Sequence, residues 1–383
     1  MEPRPFTVRI DDDVLTDLHE RLGRARWPDE VPGSSWAYGT DLAYLKALVE
    51  YWRTGYDWRA HEAQLNEFRQ FSVPLAGIDL HFIHQPGVGP SPLPLLLSHG
   101  WPGSVWEFYK LIPILTDPAR FGGDPADAFT VVAPSLPGYG FSFRPNQARF
   151  GAVEIADAFA SLMTDVLGYP RFVAQGGDWG SFITARLGAV YPDRLLGIHL
   201  NMLPVRRDTD QPSDATEEEA EYLQELRRWL REETGYQTIQ GTRPQTLAYG
   251  LTDSPVGLAA WIVEKFRAWS DCGGDVENSF SRDELLTNIT IYWATGTINP
   301  SFWPYYARIH VGWPIPEGTR VDVPTAYAAF PREIVRPPRS IAERTFNIQR
   351  WTPMPSGGHF AALEEPEALA DDLRAFFRQF RTR

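Results

Sequence analysis

Phe172, Val173 and Ala174 form a short apolar run that leads through Gln175 into Gly176, Gly177, Asp178, Trp179 and Gly180, and a helical pattern follows from Phe182 to Val190. Small residues two positions either side of a central residue permit a sharp strand-to-helix turn that exposes the central side chain, the arrangement called a nucleophile elbow. Here the central residue is Asp rather than Ser, and that decides the chemistry. A carboxylate attacking an sp³ carbon leaves an alkyl ester on the enzyme, which suits opening an epoxide or displacing a halide and is a poor start for hydrolysing an ester or amide. An isolated Asp at such a place is also a common helix cap, so its weight depends on its partners.

Two partners are present in the right order. Of eight histidines, His359 stands in SGGHFAALEEP, after the last strand-like run and before a terminal helix. Glu333, in FPREI, follows the run that ends at Phe330 and precedes His359 by 26 residues. Nucleophile, acid and histidine in that chain order are the pattern of α/β hydrolases. An exposed loop histidine and a surface glutamate are the ordinary readings of each alone; Asp178, Glu333 and His359 in that order on three strand ends are much harder to obtain by chance. His99, Gly100, Trp101 and Pro102 follow the run Leu95 to Leu97. A turn at that place presents one backbone N–H to an oxyanion and the residue after the nucleophile presents another, which makes Trp101 and Trp179 the candidate donors. Each such donor is worth roughly 3 to 4 kcal/mol in a transition state.

The elements that must position these residues follow from the pattern. Up to about residue 70 the chain reads as helices, with Asp11 to Asp13 capping a segment whose Val14, Leu15, Leu18 and Leu22 share a face, and with Leu42, Leu45, Leu48, Val49 and Trp52 at helical spacing. From Phe71 short apolar runs broken by Gly and Pro alternate with helical stretches such as Ile155 to Val166, the signature of βαβ units around a mostly parallel sheet. An acidic stretch, DTDQPSDATEEEAEYLQELRRWLREE, then opens a helical, aromatic-rich region that reads as an inserted cap. Strands resume at RVDVPTAYAAFP and NIQRWTPM, and a last amphipathic helix runs from about Glu367 to Phe380. The expected organisation is a helical segment over 1–75, core over 76–204, cap over 205–315 and core again over 316–383.

Composition narrows the function further. The formal charge of −13 disfavours nucleic acid and anionic membranes. The 14 Trp, 15 Tyr and 22 Phe are mostly core, yet they also suit a deep apolar pocket. With Cys272 as the sole cysteine no internal disulfide forms. No apolar run reaches the roughly 18 residues of a membrane span and the first residues carry no signal-peptide pattern, so the cytoplasm is expected. No metal is implied: there is no H-E-x-x-H, and His81 and His84 fall on opposite faces of one strand. GYGFSF does not match a phosphate loop.

Taken together, HGWPGS, GGDWG, the stretches DSPVGLAAWIVEKF and LLTNITIYWATGTI, and the tail GGHFAALEEPE resemble the microsomal-type epoxide hydrolase family over nearly the whole chain. The resemblance implies an α/β-hydrolase fold with a helical N-terminal segment and cap, no cofactor, a hydrophobic epoxide and water as reactants, and a homodimer. It also implies two cap tyrosines that protonate the epoxide oxygen: Tyr236 in TGYQTIQ matches the first, and Tyr305 in FWPYYARI the second, with its neighbour Tyr306 as a substitute. A phenol with an ordinary pKa near 10 stays protonated at neutral pH and can donate to a nascent alkoxide. A haloalkane dehalogenase uses the same Asp and His with N–H donors for the halide, and a noncatalytic receptor could keep the fold. The cap tyrosines and the intact acid, base and nucleophile favour the epoxide.

Overall fold

The structure, a computed structural model, describes residues 2–206 and 214–381; the start of the acidic stretch, 208–213, lies outside them. Among the described residues nine strands form one sheet: β1 (Arg4–Phe6), β2 (Gln70–Leu75), β3 (Ile78–Gln85), β4 (Leu93–Ser98), β5 (Phe129–Pro134), β6 (Phe172–Gly176), β7 (Leu195–Leu200), β8 (Val321–Ala329) and β9 (Phe346–Pro353). Their order is β1-β2-β3-β5-β4-β6-β7-β8-β9. The first four pair antiparallel, whereas every pair from β5-β4 onward is parallel. This is the α/β-hydrolase fold, and its parallel strands point their C-terminal ends to one edge, where loops gather functional groups.

The N-terminal segment contains α1 (Asp12–Gly23), α2 (Leu42–Thr54) and α3 (Trp58–Leu65). Leu45, Leu48, Val49 and Trp52 are the buried stripe of α2, and the Asp41 side chain accepts the Tyr44 N–H at 2.8 Å as its cap. In α1 only Leu18 and Leu22 are buried, and Asp11, at the cap position, makes no side-chain cap bond; Asp12 and Asp13 lie within the first turn, where they favour the helix through its dipole. The sequence pattern missed β1. Three residues, one of them Pro, carry no periodicity, and only pairing with β2 makes them a strand.

In the core follow α4 (Leu111–Thr116), α5 (Ala152–Ser161, continued by a π-helical turn at Leu162–Val166) and α6 (Asp178–Val190). Between β7 and β8 stand the cap helices α7 (Glu217–Glu232), α8 (Gly235–Thr242), α9 (Pro244–Asp253), α10 (Pro255–Trp269), α11 (Arg282–Thr295) and α12 (Trp303–His310). Helix α11 is buried along most of its length, so its apolar character has no amphipathic period. The N-terminal segment meets it directly: Trp52 Nε1 donates to Thr290 Oγ1 at 3.1 Å, and the Tyr51 hydroxyl to Asp283 at 2.8 Å.

The C-terminal helix Pro366–Phe377 is tied to the sheet by a buried ionic cluster. Asp372 meets His199 Nε2 of β7 at 2.9 Å and accepts from Arg350 and Thr352 of β9 at 2.6 and 2.7 Å. Burial alone would raise this carboxyl, but bonds from His199, Thr352 and Arg350 hold it down at about 2. A depressed carboxylate contributes stability that is complete above its unfolded pKa, near 4, and is lost as pH falls through the folded value. Asp372→Asn is therefore expected to lower stability by about 3 kcal/mol at neutral pH. Urea midpoints should show a smaller deficit at pH 3 than at pH 6; an equal deficit at both would refute the assignment.

Candidate active site

Four loops at the C-terminal edge of the sheet bring the candidate residues together. Strand β6 ends at Gly176, and Asp178 opens α6 with φ of +46°. A left-handed backbone at a non-glycine residue stores strain that the surrounding structure must hold, and here it aims the carboxylate out of the turn. The neighbouring glycines make the approach possible. A Cβ on Gly180 would lie 1.8 Å from the Ser98 carbonyl oxygen, and one on Gly100 would lie 2.2 Å from Asp178 Oδ1. The first turn of α6 thus sits directly against the end of β4.

The Trp101 backbone N–H, in the turn after β4, donates to Asp178 Oδ1 at 2.8 Å. That turn, which contains a cis Trp101–Pro102 peptide, is fixed by the cap. Asn288 of α11 donates to the Pro102 carbonyl at 2.7 Å and accepts from the Ser104 hydroxyl at 2.9 Å, and the Tyr292 hydroxyl donates to the Gly103 carbonyl at 2.7 Å. The second expected donor, the Trp179 N–H, makes no hydrogen bond to the carboxylate among the described residues. It follows Asp178 directly in the chain, but it is not engaged in this resting geometry.

His359 and Glu333 come from the loops after β9 and β8, which are clamped together by a bridge between Arg332 and Gly358 and by the Arg332 N–H donating to the Gly357 carbonyl at 3.1 Å. His359 Nδ1 lies 2.6 Å from Glu333 Oε1, and its Nε2 lies 3.4 Å from Asp178 Oδ2. The other side of the histidine belongs to the cap: its backbone N–H donates to the Trp269 carbonyl, the last residue of α10, at 2.8 Å. Both side chains of the His359–Glu333 pair are buried. Burial by itself would lower the imidazole, but the charge of Glu333 and the bonds to Asp178 and Glu333 outweigh it and hold the ring well above its ordinary 6.5. The ring thus sits between two carboxyl groups that both favour its protonated form.

Two tyrosines close the site. The Tyr236 ring of α8 stacks on Trp101 with centroids 5.3 Å apart, and the Tyr305 ring of α12 stands edge-on to Trp101 at 5.9 Å and to Trp179 at 4.8 Å. The two phenol rings are 5.7 Å apart. The Tyr305 hydroxyl is buried and donates to no acceptor among the described residues; burial, with Tyr236 and Asp178 adding to it, raises it well above 10, and the Trp179 side chain opposes the rise. Tyr306 is elsewhere, its ring packed on Trp303 at 5.1 Å and His310 at 4.0 Å. One residue along a helix is a turn of about 100°, which is why only one of the neighbours can reach this pocket. Lys265 of α10 places its ammonium 5.0 Å from the Tyr236 ring centroid.

Asn288, Tyr292, Trp269 and Lys265 were not legible as site residues. The usable signal was polar side chains inside the otherwise apolar LLTNITIYWATGTI and DSPVGLAAWIVEKF, which is unusual in a buried helix unless each polar group has a partner. Of the two histidines set aside as metal ligands, His81 is buried between Ser135 and Gln70, both at 2.9 Å, and His84 meets Tyr169 at 3.0 Å.

Comparison with known proteins agrees with this geometry. Residues 3–108 match the model of the epoxide hydrolase N terminus and residues 94–236 that of the alpha/beta hydrolase fold. The chain is 40% identical to epoxide hydrolase 1 of Sus scrofa over 97% of its own length and 88% of that protein. It aligns with the structure of Aspergillus niger epoxide hydrolase at a TM-score of 0.86 and 32% identity, covering 99% of this chain and 97% of that one. With juvenile hormone epoxide hydrolase from the silkworm Bombyx mori the TM-score is 0.88 at 31% identity, over 99% and 95% of the two chains. A strained aspartate at the end of β6, a buried His–Glu pair, two tyrosines beside them and whole-chain similarity converge: this chain belongs to the epoxide hydrolase family that includes the microsomal and juvenile hormone enzymes.

Proposed function

We propose that the chain converts a hydrophobic epoxide to a vicinal diol through an ester on Asp178. The observation that carries this reading is the carboxylate itself: one oxygen is held by the Trp101 N–H at 2.8 Å, and the other faces His359 at 3.4 Å. Oδ1 is thereby assigned to the carbonyl position and Oδ2 to attack. In the first half-reaction Oδ2 bonds to a ring carbon, the carbon–oxygen bond breaks, and its electron pair goes to the epoxide oxygen, which takes a proton from Tyr236 or Tyr305. The unpartnered hydroxyl of Tyr305 supports that role, because a buried donor with no acceptor gains most when an acceptor arrives.

Esterification removes the negative charge of Asp178, one of the groups that holds the proton on His359. The imidazolium then returns a proton to the phenolate and becomes the base. Water gives a proton to His359 Nε2 and attacks the ester carbon, and the charge that develops on Oδ1 falls to the Trp101 N–H, with Trp179 as the second donor in this tetrahedral state. The diol leaves with the proton from His359, and the proton of the regenerated carboxyl passes to the ring, which restores the starting ion pair. We propose further that the enzyme works in the cytoplasm, since its one cysteine is buried and free, and that copies pair as the resemblance implies.

Single-turnover hydrolysis in heavy-oxygen water tests the reading. The label is expected in the side chain of Asp178 and not in the diol; label in the diol after one turnover would mean that water attacks the epoxide directly.

A further inference from the structure

A cavity of about 20 Å³ touches Asp178 and His359 but neither Tyr236 nor Tyr305. Its walls include Ser98, Glu107, Gln175 and Asn201. About 10 to 15 Å³ suffices for one water if two to four polar groups face it, and those groups are here. Ser98 Oγ and Gln175 Oε1 are buried with no hydrogen-bond partner among the described residues, while Gln175 Nε2 donates to Asn201 Oδ1 at 2.7 Å. Glu107, in the short helix Val105–Phe108 that follows the Trp101 turn, reaches back across Gly103. A Cβ on Gly103 would lie 1.3 Å from Glu107 Oε1, so any side chain there would push the carboxyl out of its place. No bond of that carboxyl to another group is found among the described residues.

We infer that this cavity is the site of the hydrolytic water, and that Glu107 holds the water between itself and His359 for attack on the ester of Asp178. The inference rests on the proposed ester mechanism and adds to it a separate seat for the second reactant. Water waiting in the cavity is already beside the base, and an epoxide entering under the tyrosines need not displace it. His359 and Asp178 act on the Glu107 carboxyl through their charges, and Tyr292 feels it in turn. Burial pushes its carboxyl up to about 8, with the Asp178 charge raising it further and His359 opposing. At neutral pH Glu107 is thus an uncharged hydrogen-bonding partner that orients the water and takes no net proton through the cycle.

Rapid-quench kinetics separate the two half-reactions. Glu107→Leu is expected to alkylate Asp178 within about 3-fold of the parent rate and to hydrolyse the ester about 100-fold more slowly, so that adduct accumulates during turnover. Glu107→Gln, which keeps an uncharged hydrogen-bonding group, is expected to stay within about 10-fold. It should also lose the bend near pH 8 that titration of the Glu107 carboxyl is expected to put on ester hydrolysis in the parent. Parental ester hydrolysis in Glu107→Leu, or a bend near pH 8 that survives in Glu107→Gln, would overturn the inference. If the leucine variant does not fold, the pH profile of the glutamine variant decides alone. Failure of the ester mechanism looks different, because then neither the parent nor any variant yields an adduct.

Discussion

With Gln at position 359 the enzyme is expected to consume one equivalent of epoxide and stop. The reasoning is positional. Attack needs only Asp178 Oδ2 and the cap tyrosines, whereas release needs a base at Nε2, and the amide that replaces the ring cannot take a proton from water. Intact mass should rise by that of the epoxide, the added mass should map to the peptide carrying Asp178, and turnover should fall by about 10⁴-fold or more. Glu333 enters the same prediction at one remove. It meets His359 Nδ1 at 2.6 Å, so it orients and charges the ring without touching substrate. Unmodified protein after incubation with an epoxide that the parent turns over would contradict the order of events.

Asp178→Ala is expected to abolish turnover and adduct together, a loss of about 10⁵-fold. Among the described residues of the pocket Asp178 alone opens a helix after a strand with an N–H donor on one oxygen; Glu333, which accepts the Ile334 N–H at 2.6 Å, is turned to His359. A second measurement distinguishes loss of the nucleophile from loss of the fold. Without the charge 3.4 Å from Nε2, the imidazole loses part of what holds its proton, so its NMR titration should move down in pH relative to the parent. An unchanged His359 titration would remove the argument that esterification switches the ring from acid to base, and parental activity would remove the mechanism.

The residues that the structure brings together at the strand ends were easier to read in the sequence than their supports, for a physical reason. Asp178, Glu333 and His359 each follow a strand, and strand ends are marked by apolar runs that stop at Gly or Pro, so chain order alone lines them up. The choice between Tyr305 and Tyr306 needed the rotation of α12, which depends on which face α8 covers. The strand β1 needed a partner 66 residues away, its central Pro5 lying opposite Phe71, and nothing in three residues announces that. Glu107 and Asn288 were invisible because a polar residue in a helical pattern defaults to solvent. Only the assembled packing turns Asn288 toward the Pro102 and Ser104 turn.

The hydrogen bonds from Asn288 and Tyr292 to the Trp101 turn, and from His359 to the Trp269 carbonyl, bear on how such enzymes can be redesigned. The insertion is not an interchangeable cassette, since grafting a different one would unseat the oxyanion donor and the histidine together. New selectivity is better sought by changing side chains around Tyr236 and Tyr305 while keeping those three anchors intact.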